Sequence, residues 1–394
     1  MLKAIANLPP AVWLLGLVSL CNDAAGELIY PLVPLYLASV LMAGPRALGL
    51  IEGIAEATGS LLKLFSGVLV DRCGATKPWI VGGYGLAALG RPLLTLATSW
   101  PIVLALRFAD RVGKGLRSSP RDALLASSVG ADRRGLAFGL HRAMDNAGAV
   151  IGPLLAAALL ASGMAIRDIL LWTLVPGLVT VALALAVREP ARPRTEHRAP
   201  FSWTLAGFPL AFRRYLVVLA LFTLGNSSNM FLLLRAREIG AAEAEVPLLW
   251  ALTSVVAMLA STPLAALSDR VGRLRLILGG WAVYAIVYLL LGLVTAGPVL
   301  LWCLFALYGL FLAATEGAEK ALVADLAPPA LVGTAYGWFN VTTGLMLLPA
   351  SIVFGWFWQS FGVAAAFAFA AGCAVLAAIL LARWVGGGDP GRRT

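Results

Sequence analysis

Residues 170–187 read LLWTLVPGLVTVALALAV, eighteen residues with no charge among them. A strand of a membrane barrel alternates apolar and polar side chains in pieces of about 10 residues. This run does not alternate. As a helix rising 1.5 Å per residue it is about 27 Å long, close to the ~30 Å hydrocarbon core of a bilayer. Lipid tolerates only helices and closed barrels, because every backbone polar group must be satisfied internally. Similar apolar stretches recur along the chain near 11–41, 47–70, 78–98, 101–126, 136–161, 214–235, 246–267, 275–295, 299–326, 332–358 and 362–385, with this one falling in 168–187. The 394 residues are 60% hydrophobic and 13% charged, about half the charged share of soluble domains. The fold class predicted is therefore an all-α polytopic membrane protein with 12 transmembrane helices.

Charge placement sets an expected topology. Cytoplasmic loops are enriched in Lys and Arg. With both termini inside, 17 Lys and Arg fall on the cytoplasmic side, from Lys3 to Arg393. Four fall outside: Arg46, Arg167, Arg235 and Arg237. The net charge of +10 thus reads as a topology signal, and no nucleic-acid partner is expected. The first 25 residues mimic a signal peptide, but Leu28–Met42 continues the apolar span, so cleavage is not expected. Cys21, Cys73, Cys303 and Cys373 are scattered, without a CxxC pair, and read as free thiols.

The chain repeats itself. LVDRCG at 69–74 returns as LSDRVG at 267–272, and RDALLASSVGADRRGLAFG at 121–139 returns as EKALVADLAPPALVGTAYG at 319–337, both at a shift of 198 residues. Between the copies lies REPARPRTEHRAPFSW, 188–203, rich in Pro and Arg. The expected organisation is an N-terminal six-helix bundle over 1–187, a cytoplasmic linker over 188–213 and a pseudo-symmetric C-terminal bundle over 214–394. Duplicated halves of this kind form one transporter plan.

One segment breaks the apolar pattern. RFADRVGKGLRSSPRD, 107–122, carries Arg107, Arg111, Lys114, Arg117 and Arg121 at steps of 4, 3, 3 and 4. Their mean spacing of about 3.5 lies near the helical 3.6, so they form one stripe. A charge at the bilayer centre costs at least ~2.5–3.5 kcal/mol. The stripe is therefore predicted to face protein, a wet cavity or the cytoplasmic mouth. Asp23 with Glu27, and Glu52 with Glu56, lie four apart and share helical faces; Asp145 lies in the fifth span.

These motifs resemble the Major Facilitator Superfamily. GVLVDRCG, with Gly67, Asp71, Arg72 and Gly74, matches its GxxxDRxG signature between helices two and three; Asp269 and Arg270 belong to the weaker copy, where Ala265 replaces the leading Gly. Arg107 with Gly113 and Gly115 resembles the fourth-helix motif, although Asp110 and Arg111 stand where many members carry Gln and Gly. Gly148, Gly152 and Pro153 form GxxxGP, similar to the fifth-helix motif of antiporter-type exporters. The resemblance implies that helices one, four and five line the N-half cavity, that the halves rock about a central site, and that the signature residues act as a conformational latch.

On this basis the expected site is a polar network of Asp23, Glu27, Arg107, Arg111 and Asp145. The competing reading makes the stripe a set of gate or scaffold charges. Glu316, Glu319 and Lys320 are candidates in helix ten, or Glu319–Lys320 is a buried pair joining helices. Asn226 and Asn229 flank the patch NSSN, facing a cavity or a neighbouring helix. Trp338 and Asn340 are candidate substrate contacts, while Trp356 and Trp358 also suit an interfacial belt. His141 has switch chemistry, and with Met144 supplies two potential copper ligands, too few for a metal site. For coupling, an acid parted from its cation takes up a proton and releases it when the pair re-forms.

The sequence shows no P-loop and no recognisable catalytic set, so no enzyme activity and no cofactor are expected; a proton gradient is the expected energy source. The function expected is a proton-coupled antiporter of the bacterial inner membrane, exporting an anionic, zwitterionic or drug-like small molecule, and working as a monomer in the lipid bilayer. An importer, a facilitator or a metal-ion exporter of the same fold is the alternative within transport. A non-transporting receptor or scaffold is the alternative outside it.

Overall fold

A computed structural model describes residues 7–73, 76–130, 133–189, 204–295, 297–328 and 331–386. Most of the expected linker, 190–203, lies outside the described residues. Helices occupy every predicted span, and no strand occurs among the described residues. They are α1 (Pro10–Ile29), α2 (Pro45–Cys73), α3 (Lys77–Leu93), α4 (Trp100–Ser127), α5 (Arg134–Ala161) and α6 (Ile166–Trp172 with Leu174–Ala186). The second set is α7 (Leu210–Gly225 with Met230–Ile239), α8 (Glu245–Val271), α9 (Arg273–Leu293), α10 (Pro298–Leu326), α11 (Val332–Phe361) and α12 (Val363–Trp384).

Local chemistry sets the ends. A proline opens α1, α3, α4 and α10 in their first two positions, where its missing N–H costs nothing. Gly362, at φ 89°, turns α11 into α12, a left-handed conformation that glycine adopts freely. α1 breaks at Tyr30–Pro31 and resumes as Leu32–Leu35 and a π turn, Tyr36–Val40. The 198-residue shift carries Tyr30 onto Ser228, inside the break of α7.

Among the described residues, 9 helices are long and apolar enough to cross a membrane. The chain is a multi-pass membrane protein. α2, α3 and α4 fall outside that set, α4 because it carries the cationic stripe. Large apolar side chains stand exposed on the outer faces, among them Leu89, Leu155, Trp172, Leu178, Leu259 and Leu293. Soluble surfaces rarely expose such area; in lipid it is the solvated face.

The chain forms two compact units. Unit 1 is Met1–Met42, Ile54–Pro200 and Ala242–Ala251; unit 2 is Ala43–Gly53, Phe201–Ala241 and Leu252–Thr394. Within unit 1, α1 packs on α5 and α6, and α3 packs on α4 and α6. Within unit 2, α7 packs on α11 and α12, and α9 packs on α10 and α12. Each neighbour pair of one unit has its counterpart six helices on, which is the internal repeat expressed as packing.

Small residues set how closely these pairs approach. A Cβ on Gly148 would stand 2.6 Å from the Leu20 carbonyl, and one on Gly152 would stand 2.6 Å from the Ala24 carbonyl and 2.7 Å from the Leu28 nitrogen. The fifth-helix glycines therefore press α5 onto the main chain of α1. Gly83 and Gly113 meet in the same way, with a Cβ on either only 2.5 Å from the other's carbonyl. At the end of α6, Glu189 caps α3: its carboxylate accepts from the Thr76 nitrogen at 2.6 Å and from the Lys77 nitrogen at 3.2 Å. An acid at a helix N-terminus is favoured by the orphan amides and the helix dipole.

Gly152→Ala is expected to lower stability by about 1–3 kcal/mol, the usual cost of overpacking, and to lower the thermal unfolding midpoint of purified protein. Gly139→Ala, on the same helix with nothing within 4 Å of the added carbon, is expected to be neutral or to stabilise by up to ~1 kcal/mol.

Candidate functional site

In unit 1 the cationic stripe turns inward. Arg107, Arg111 and Arg117 are buried, with 2%, 7% and 3% of their surface exposed. Glycine packing makes this possible. Gly113 presses α4 on α3, and a Cβ on Gly115 would stand 2.5 Å from Leu62 Cβ and 3.2 Å from the Gly59 carbonyl, pressing α4 on α2.

The buried cations find specific acceptors. Arg91 Nε donates to Asp110 Oδ1 at 3.0 Å, and Arg91 Nη1 donates to the Asn22 carbonyl at 2.7 Å. Gly26 leaves room for that guanidinium, since a Cβ there would lie 3.2 Å from Arg91 Nη2. Arg117 donates to the Gly83 carbonyl at 3.2 Å and to Asn22 Oδ1 at 3.3 Å, and sits 4.6 Å over the Tyr84 ring. Arg111 pairs with Glu56 at 3.0 Å. Arg121 pairs with Asp122 at 2.9 Å and donates to Ser19 Oγ at 3.4 Å.

The acids expected to couple protons are held differently. Asn22 Nδ2 donates to Asp23 Oδ1 at 2.9 Å. Trp250 Nε1, from the start of α8, donates to Glu27 Oε2 at 2.8 Å, and its ring stacks on Tyr30 with centroids 5.0 Å apart. Ser19 Oγ donates to Asp145 Oδ1, while His141 Nδ1 lies 3.5 Å from Asp145 Oδ2. The structure thus gathers Asp23, Glu27, Arg107, Arg111 and Asp145 in one unit, with Arg111 paired to Glu56 and Asp145 held by Ser19 and His141.

Several groups in this interior carry no role in the sequence reading: Ser19, Asn22, Arg91 and Trp250. The signals were present. Ser19, Asn22, Asp23, Gly26 and Glu27 form one polar face at helical spacing on an otherwise apolar α1, and Arg91 is the lone charge in the interior of α3. The four-residue spacing of Glu52 and Glu56 misleads. Glu56 pairs with Arg111 in unit 1, whereas Glu52, fully buried, accepts from Ser228 Oγ at 3.3 Å in unit 2.

Unit 2 places its candidates apart. Asn226 caps the first half of α7, and Asn229 Oδ1 accepts from the Tyr308 hydroxyl at 2.6 Å. Trp281 Nε1 donates to Glu319 Oε1 at 3.1 Å while its ring stacks on Phe222 at 4.2 Å. The reading of Glu319–Lys320 as a buried pair is corrected: Lys320 instead bonds Glu316 at 3.0 Å, both about half exposed, because four residues along a helix bring side chains together and one residue does not. Trp338 is half-buried and Asn340 is exposed.

Of the latch residues, Gly67, Asp71 and Arg72 are helical in α2, and Arg270 is exposed near the end of α8. Gly74 and the side chains of Asp71, Arg72 and Asp269 lie outside the described residues. Gly148, Gly152 and Pro153 lie within α5, where the two glycines are the contact with α1. No group of three metal-ligating side chains occurs among the described residues.

The Major Facilitator Superfamily matches residues 15–234 and 215–394 of the chain. An uncharacterized MFS-type transporter of Methanocaldococcus jannaschii is 33% identical over 355 residues, 88% of this chain and 88% of that protein. The multidrug resistance protein MdtH of Photorhabdus laumondii is 28% identical over 324 residues, 80% of this chain and 79% of that protein. Among solved structures, the nucleoside transporter NupG superposes with a TM-score of 0.81 over 95% of this chain and 99% of its own, at 14% identity, a likeness of fold.

Removing one member of the Arg91–Asp110 pair, whose side chains are 7% and 6% exposed, leaves a buried charge alone. Asp110→Asn is expected to destabilise by about 3–5 kcal/mol. Replacing both members with Leu is expected to restore most of that loss. Thermal unfolding of the single and double variants measures both effects.

Proposed function

Because this chain belongs to the Major Facilitator Superfamily, a family of transporters, we propose that it is a proton-coupled antiporter that exports a small molecule across the bacterial cytoplasmic membrane, with both termini inside. The observation that carries the reading is the contrast between two kinds of acid in the interior of unit 1, where Asp110 is buried and Glu56, Asp23 and Glu27 are partly exposed. Asp110 and Glu56 are locked in ion pairs with Arg91 and Arg111. Asp23 and Glu27 are held by neutral donors, Asn22 and Trp250.

An acid locked to a guanidinium stays ionised through a cycle, because protonating it strands the cation. An acid held by an amide or an indole N–H can gain or lose a proton without that loss. Asp23 and Glu27 are therefore the proton carriers of the proposal, and Asp145, held by Ser19 and His141, stands beside them on α5. Intramembrane acids facing a protein interior serve as proton relays in pumps and transporters. Export is supported by similarity to MdtH, a protein described as conferring multidrug resistance. The fixed pairs keep α3, α4 and α2 in register while the carriers change state.

Everted vesicles energised with an inward proton gradient test this. Addition of a transported compound is expected to dissipate the gradient, read with a pH-sensitive dye. Asp23→Asn is expected to lose at least about tenfold of that response while the protein folds normally. An unchanged response in Asp23→Asn removes it as a carrier, and no response from the parent protein across a broad compound panel removes proton coupling.

A further inference from the structure

Lys114 is the member of the stripe that differs. Arg111, Arg117 and Arg121 each bind a named acceptor, and Arg107 is engaged as well. Among the described residues the Lys114 ammonium closes no hydrogen bond and no ion pair. Its flanking glycines explain where it points. Gly113 and Gly115 hold α4 against α3 and α2, while Arg117 and Arg121, three and seven residues on along the same stripe, donate to Asn22 and Ser19 of α1, so Lys114 stands on the face of α4 that meets α1, one turn from Arg117 and beside Asp23 and Glu27. The same interior holds Arg111 paired with Glu56, and Arg121 linked through Ser19 to Asp145.

An ammonium and two carboxylates thus face one another across the interior of one unit without touching. Asp23 and Glu27 have only neutral donors bonded to them. An ammonium on a flexible stem is a mobile point charge, and isolated charges in a protein interior are costly unless paired. Beside Glu27 stands an aromatic wall, Trp250 stacked on Tyr30. From this juxtaposition we infer that unit 1 binds a zwitterionic small molecule bearing an apolar ring, with its acidic group on Lys114, its ammonium on Asp23 and Glu27, and its ring against Trp250.

The inference rests on the antiport reading and gives it a substrate class. A bound ammonium and a proton compete for the same carboxylate, so binding of the substrate releases the proton to solvent, as antiport requires. An anion would be repelled by the ionised acids, and a simple cation by Lys114. The zwitterion satisfies both signs.

Three compounds with one indole ring separate the possibilities: L-tryptophan (zwitterion), N-acetyl-L-tryptophan (anion) and L-tryptophanamide (cation). Binding to the purified full-length protein in detergent is followed as a saturable rise in Tm, since a ligand that binds the folded state stabilises it. Tryptophan is expected to bind at least about tenfold more tightly than either singly charged analogue. Lys114→Gln is expected to erase its advantage over the amide, and Asp23→Asn its advantage over the N-acetyl compound, whereas Lys114→Arg keeps both. Equal or better binding of either analogue, no saturable shift with tryptophan, or an unchanged preference in Lys114→Gln would each overturn the inference. If Lys114→Gln does not fold, Lys114→Met reads the same loss. The measurement uses no gradient, so tryptophan selectivity without vesicle coupling would sink antiport alone, and coupling without selectivity would sink this site alone.

Discussion

Charge cannot face hydrocarbon, and that constraint organises unit 1. A helix with five cations on one face must bury that face, and it must do so against helices close enough to offer acceptors. Close approach needs surfaces without side chains. Gly83 against Gly113, Gly115 against Gly59 and Leu62, and Gly148 and Gly152 against α1 provide them. The glycines are as much a part of the charged interior as the arginines, because a β-carbon at Gly83, Gly113 or Gly115 would push apart the helices that the Arg91–Asp110 and Arg111–Glu56 pairs join.

Within that interior the charges divide their work. Arg91–Asp110 and Arg111–Glu56 are direct pairs, and Arg117 is held by a carbonyl, an amide and an aromatic face. These groups have no reason to change state. Asp23, Glu27 and Lys114 are not spent in this way. A buried pair contributes little net stability once desolvation is counted, but breaking one is costly. The paired charges therefore fix geometry, and in the proposed cycle the others meet the ligand and the proton.

The two units share a neighbour pattern and differ in chemistry. The 198-residue shift carries Gly83 onto Trp281 and the Arg121–Asp122 step onto Glu319–Lys320. In unit 1 the glycine admits α4 and its Arg117. In unit 2 the tryptophan fills the corresponding place, stacks on Phe222 and donates to Glu319. Around it runs an aromatic series that includes Tyr284, Tyr288, Tyr308 and Phe311. The two units keep one neighbour pattern, with a polar interior around Gly83 in one and an aromatic interior around Trp281 in the other.

The membrane class, the duplicated halves and the inward face of the stripe were legible from the chain alone, because each follows from spacing along a single helix or from a repeat at a fixed offset. Two acids on one apolar rod, Asp23 and Glu27, were legible as well. The identity of their partners was not. Asn22 and Trp250 are 1 and 223 residues from the acids they hold, and the Arg91–Asp110 pair joins two helices. Periodicity places a residue on a face, but which side chain stands opposite depends on how closely two helices approach. The separation of Glu52 from Glu56 into different units shows the limit most plainly: four residues on one helix share a face, yet only packing decides what that face meets.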